Sequence, residues 1–151
     1  MADDAELRTF YALSVTLTGF SEFELQGTGV GPVYYTTVRG VVGERFLADL
    51  LRTFREVVQE GGDFERNFRI RILGDPGFGP VARNLILLWY TGNWNELSQG
   101  WRDAYGVSTQ DVSRVVSAES YPQGLMWTAG GTHPQGANQP GFGTWADPPK
   151  S

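Results

Sequence analysis

Ten residues in the middle of the chain, Val81 to Tyr90, carry only Arg83, Asn84 and a tyrosine hydroxyl as polar groups. A helix this apolar all round must be enclosed by other elements, because none of its faces suits water. Asp75-Pro76 and Gly79-Pro80 read as its entry, since proline is tolerated in a first helical turn, and Thr91-Gly92-Asn93 reads as its end. The chain is therefore expected to wrap a central buried helix over about residues 79–91.

Partners for that helix are visible upstream. Leu7, Phe10, Leu13 and Leu17 recur at helical spacing after Asp3 and Asp4, either of which can cap, and Gly19 stops the run. Phe46, Leu47, Leu50, Leu51, Phe54, Val57 and Val58 form an apolar stripe that Gly61-Gly62 closes, predicting a helix from about Gly43 to Gln59. Between them, FSEFELQGTGVGP reads as a loop. Tyr34, Val38, Val41 and Val42 suit one face of a helix that can run on through Gly40, although Thr36-Thr37-Val38 favours a strand. Phe68, Ile70 and Ile72 alternate with Arg69 and Arg71 in strand fashion. Trp94, Trp101 and Tyr105 follow the central helix in a polar segment, Val112 to Val116 reads as extended, and Ser117 caps a short helix ending near Trp127.

The last third changes character. From Tyr121 onward lie five of the eight prolines, two of the five tryptophans and the single histidine, while Asp147 is the sole formal charge between Gly130 and Pro149. Disordered tails are ordinarily charged and poor in aromatics. Here Trp127, His133, Phe142 and Trp145 stand between Gly and Pro residues, which suits an extended arm whose rings anchor it in pockets. The rings can cover this domain's own core or wrap a partner, and the partner is the sharper reading.

Several function classes are excluded or weakened. At 151 residues the chain is one domain with room for a core, and a net charge of −5 with Lys150 as its only lysine argues against nucleic acid. The longest fully apolar run, Leu85 to Tyr90, is far too short to span a membrane. The absence of cysteine rules out disulfides, cysteine-ligated iron–sulfur clusters and covalently attached haem. The acidic start, Met1 to Asp4, has no apolar signal region, so no export signal is expected.

Gly77-Phe78-Gly79-Pro80-Val81-Ala82 matches the dinucleotide fingerprint G-x-G-x-x-A. Asp75 would repel a pyrophosphate there, Pro80 removes a donor, and no further strand–helix units follow, so it reads as a helix-entry turn. His133 has no second histidine or cysteine to share a metal, and no G-x-S-x-G elbow surrounds a serine. The carboxylate pairs Glu22/Glu24 and Asp63/Glu65 lie in charged surface segments. An independent enzyme, with a cofactor of its own, is not expected. The rival is a carbohydrate-binding module in which Trp89, Tyr90, Trp94 and Trp101 stack on sugar rings.

Three stretches carry a family resemblance: ARNLILLWYTGNW (Ala82–Trp94), SRVVSAESYPQGLMW (Ser113–Trp127) and THPQGANQPGFGTWADPP (Thr132–Pro149), with Leu17 to Phe20 in support. Together they resemble the small, or gamma, subunit of bacterial FAD-dependent sugar and polyol dehydrogenases, the group named after membrane-bound sorbitol dehydrogenase and gluconate 2-dehydrogenase subunit 3. The resemblance is specific in the helix ending Trp-Tyr-x-Gly and in the tail Pro-Gly-Phe-x-x-Trp-Ala-Asp-x-Pro, and weak from Phe23 to Ile72. It implies a non-catalytic accessory subunit that supports maturation and export of a glucose–methanol–choline type flavoprotein. That large subunit binds FAD and oxidises the sugar, and a cytochrome c subunit often accepts the electrons. The small subunit of such families takes the large one through the twin-arginine export route, so a periplasm-facing place within the complex is expected; no twin-arginine leader stands in the sequence as given, which keeps the cytoplasm as the alternative.

The resemblance also favours a short helix over a strand at Glu65–Leu73. The expected architecture is thus all-α: a small irregular helical domain over residues 1–129, and an extended C-terminal arm of the same domain over 130–151. Tyr121, Trp127, His133, Phe142, Trp145 and Pro148 are the residues expected to contact the large subunit.

Overall fold

The computed structural model of the chain describes residues 2–116, with side chains from Asp4 onward. These residues are all-α in class, with seven α-helices, one π-helical segment and a single two-residue strand pair among them. The helix α1 (Ala2–Thr18) starts slightly before the expected caps and ends where expected, with Gly19 at φ +83° donating to the Val15 carbonyl at 2.8 Å. Phe10, Leu13 and Leu17 are buried along it.

The expected loop at 20–32 contains a helix, α2 (Glu22–Gly27). Six residues cannot hold a helix alone. Ser21 and Glu24 form a reciprocal capping box, with Glu24 N donating to Ser21 Oγ at 3.1 Å and Ser21 N to Glu24 Oε1 at 2.9 Å, while Leu25 is buried. Gly31 and Pro32 then open α3 (Gly31–Val42), which resolves the helix-or-strand ambiguity at Thr36–Val38. Tyr34, Tyr35, Val38 and Val41 are buried on one side of it, a spacing that a pleated strand would split between two faces. The helix passes through Gly40 but does not continue into α4 (Glu44–Glu60), because Gly43 breaks the path at φ +96°. Gly61, at φ +80°, ends α4 as expected.

Residues 64–73 are helical throughout, in α5 (Phe64–Phe68) and a π-helical turn (Arg69–Leu73). Asp63 caps the start by accepting from Arg66 N at 3.1 Å, and Gly74 N reaches back to the Arg69 carbonyl at 2.7 Å to close the wide turn. Phe68 and Ile72 are buried one helical turn apart, whereas Ile70 between them is exposed. The alternation in the sequence was therefore helical spacing with one outward isoleucine. Arg71 turns to α4 and pairs with Glu56 at 2.9 Å and Glu60 at 3.5 Å.

The central helix is α6 (Phe78–Thr91), followed by β1 (Asn93–Trp94), α7 (Gln99–Tyr105) and β2 (Arg114–Val115). Val81, Ala82, Asn84, Leu85, Leu88, Trp89 and Tyr90 are buried, but Arg83 and Leu87 leave one narrow face exposed. Helix α1 lies against both α4 and α6, and α3 lies against α1 and α4. Their rings interlock: Trp89 meets Tyr34 edge-on with centroids 4.9 Å apart, Phe10 meets Tyr35 at 5.5 Å, and Phe20 meets Tyr90 at 6.0 Å. Trp89 Nε1 donates to the buried Ser14 hydroxyl at 2.9 Å, so the polar tip of the largest ring is satisfied inside the core.

Candidate partner interface

The expected contact residues Tyr121, Trp127, His133, Phe142, Trp145 and Pro148 lie outside the described residues, as does the short helix expected after Ser117. What the described residues establish is the point from which that stretch departs. Gly92, in the left-handed conformation at φ +78°, ends α6 by donating to the Leu88 carbonyl at 2.8 Å. The chain then turns into β1, which pairs antiparallel with β2 through Asn93 with Val115 and Trp94 with Arg114. Val116 N donates to the Gly92 carbonyl at 3.0 Å, so the last described residue is tied to the end of the central helix.

One carboxylate holds this arrangement. Asp111 is buried, and its Oδ1 accepts from Trp94 Nε1 at 2.9 Å and from Leu97 N at 3.0 Å. Its Oδ2 accepts from Arg102 Nε at 3.0 Å, and Arg102 Nη2 donates to the Asp111 carbonyl at 2.8 Å. A buried carboxylate is tolerable only when charge and lone pairs are both met, and here they are. The result fastens β2 to β1, to the loop before α7 and to α7 itself. Sequence reading missed this group, because nothing local marks Asp111 as buried; its partners lie nine to seventeen residues away.

The glycine-rich turn is a helix entry, and its own side chain Asp75 occupies its amides. Gly77 N and Phe78 N, the amides a phosphate would use, both donate to Asp75 Oδ2 at 2.9 Å. Gly79 is required for a different reason, since a Cβ there would overlap the Leu73 carbonyl oxygen. The exposed carboxylates of α2 and α5 serve as caps, at Glu24 and Asp63. Among the described residues no three His, Cys, Asp or Glu side chains are grouped as a metal site, and no helix is long and apolar enough to cross a membrane.

The rings of the sugar-stacking alternative are not on the surface. Trp89, Tyr90, Trp94 and Trp101 are all buried, with Trp101 Nε1 donating to the Gly77 carbonyl at 3.0 Å. Trp101 sits instead in a cluster with Phe46 at 5.4 Å and Tyr105 at 5.1 Å that joins α4 to α7. A ring with no open face cannot stack on a pyranose.

Among the described residues one open concave surface lies between α1 and α4. Ala5, Glu6, Arg8, Thr9 and Ala12 form one wall, Phe54, Arg55, Val58 and Gln59 the other, around about 590 Å³. Comparison of the chain with protein-family models, with curated proteins and with solved structures gives no match.

Proposed function

We propose that this chain is a non-catalytic accessory small subunit of an FAD-dependent sugar or polyol dehydrogenase complex, periplasm-facing, which stabilises and helps mature a large glucose–methanol–choline type flavoprotein. FAD belongs to that partner, and a cytochrome c subunit can complete the electron path. The three stretches that resemble such small subunits motivate this reading. The structural observation that supports it is a division within the chain. Within residues up to Val116 large rings pair with one another, and the last strand is locked by Asp111 to β1 and α7 and by the Val116 amide to the end of α6. The stretch that carries Trp127, Phe142 and Trp145 comes after that point in the sequence, and its rings are the ones we assign to the second protein.

Co-purification tests the assignment. The tagged full chain, recovered from its native source, should bring down a large subunit with a flavin absorbance spectrum, while the isolated chain should bind no FAD. Truncation after Gly131 should abolish that capture while leaving the melting temperature of the small subunit unchanged, and Trp145→Ala should weaken the complex by roughly 2 kcal/mol or more, as for a central aromatic anchor. Stoichiometric FAD on the isolated chain would refute the reading, as would capture that survives the truncation.

A further inference from the structure

The central helix is enclosed on every side but one, and the described chain ends beside that opening. We propose that the segment Ser117–Met126 runs back along the exposed stripe of α6, with Tyr121 lying on it between Leu87 and Pro80, so that the arm assigned to the partner begins only after this segment. Tyr121 thereby leaves the set expected on the large subunit, while Trp127, His133, Phe142, Trp145 and Pro148 stay in it.

The strand pair sets the direction. β1 leads away from the end of α6 and β2 runs antiparallel to it, so the chain at Val116 is heading back towards that helix. Val116 N meets the Gly92 carbonyl at 3.0 Å, and its half-buried side chain packs against the core. Residue 117 therefore enters beside the last turn of α6. Asn93 Oδ1, next to this contact, is buried and has no hydrogen-bond partner among the described residues, an acceptor that an amide of the returning segment can meet.

The helix offers one place for that segment. Pro80, Arg83, Leu87 and Thr91 recur at helical spacing and reach solvent, with Leu87 46% exposed. Helix α1 and the π-helical turn lie against the helix, and β1 adjoins its end. A chain returning alongside α6 has the stripe as its open side, and covering Leu87 removes apolar surface from water.

Reach fixes the contact. Gly92 stands five residues after Leu87 and twelve after Pro80, which is about 7.5 Å and about 18 Å along the helix axis. Tyr121 stands five residues after Val116, which is about 7.5 Å in helical form and about 17 Å in extended form. In either form its ring, the first large apolar side chain after Val116, falls on the stripe between Leu87 and Pro80. Truncation after Gly131 spares this segment, in keeping with the unchanged melting temperature expected of it.

The chain contains no cysteine, so engineered pairs report proximity without background. In the isolated full chain, Tyr121→Cys combined with Leu87→Cys or with Arg83→Cys should close an intramolecular disulfide on mild oxidation, since Cα atoms within about 7 Å can be bridged. Tyr121→Cys combined with Val58→Cys, on α4 and 53% exposed, should not. Leu87→Glu and Tyr121→Ala should each lower the melting temperature by a few degrees, and the double variant should lose less than the sum, because the two share one contact. Bridging from Val58 as readily as from α6, or no bridging at all, would overturn the proposal. Bridges only between molecules would overturn it in favour of a second copy of the chain. An unaltered melting temperature of Leu87→Glu with loss of flavoprotein capture would overturn it in favour of the large subunit. The bridging and melting measurements need no partner, so they stand whether or not the chain captures a flavoprotein.

Discussion

Replacing Asp111 by asparagine tests the lock that ties the segment before β2 to β1 and α7. The substitution keeps the shape and removes the charge. If the amide oxygen faces Trp94 Nε1 and Leu97 N, its NH₂ meets Arg102 Nε, donor against donor. If the amide flips, the same conflict falls on the indole and the Leu97 amide. Breaking one side of a buried ion pair costs about 3–5 kcal/mol. The Arg102 side chain is 20% exposed and has Glu96 at 3.8 Å as an alternative, so the low end, about 3 kcal/mol, is expected. At roughly 4 °C per kcal/mol for a chain of this length, the melting temperature should fall by about 12 °C. Thermal unfolding followed by circular dichroism gives the first number, and amide hydrogen exchange locates it. Leu97 and residues 111–116 should lose protection while α1, α4 and α6 keep theirs. In the double variant with Arg102→Met the two losses should add to less than their sum, because the partners share one interaction. A melting temperature within about 2 °C of wild type and an unchanged Leu97 amide would refute the reasoning.

Three further perturbations probe the rest of the fold. Leu88→Ala, on the central helix at 0% exposure, should destabilise by about 2–5 kcal/mol in chemical denaturation, and an unchanged midpoint would deny α6 its central place. Gly79→Ala should push the first turn of α6 off the Leu73 carbonyl and cost about 1–3 kcal/mol, whereas Gly62→Ala, where no neighbour lies close but φ is +75°, should cost about 1 kcal/mol from backbone strain alone. Tyr11 is buried between α1 and α3, and burial, reinforced by the negative charge of Glu22, raises its phenol above the ordinary value of 10.0. The unfolded chain then ionises first as pH climbs past about 10, binding fewer protons than the native state. Stability contributed by the neutral phenol is complete below pH 10 and declines above it, so Tyr11→Phe should flatten the alkaline fall in melting temperature.

The helices that could be read from residues alone are those whose buried positions repeat at one spacing. Leu47, Leu50, Leu51, Phe54 and Val57 specify α4 because only a helix places them on one face, and Gly61 ends it because it adopts a left-handed conformation without a side-chain clash. The all-apolar run at Val81–Tyr90 likewise required enclosure, whatever enclosed it. Short elements were less legible. The capping box at Ser21 and Glu24 was present in the sequence, but six residues of helix depend on burying Leu25 against the rest of the domain, which no local signal states. The π turn at Arg69–Leu73 shows the same limit. Phe68, Ile70 and Ile72 fit a strand as well as a helix until packing decides that Ile70 faces outward. Side chains with chemistry were the least legible. Asp111 and Arg102 look like surface charges until the fold brings Trp94 and Leu97 to them, and Arg8 and Arg55 lie 47 positions apart on two helices until α1 settles beside α4. Secondary structure follows from spacing along the chain, which a sequence contains, whereas burial of a charge or the opening of a groove depends on distances across the chain, which only the packed helices create.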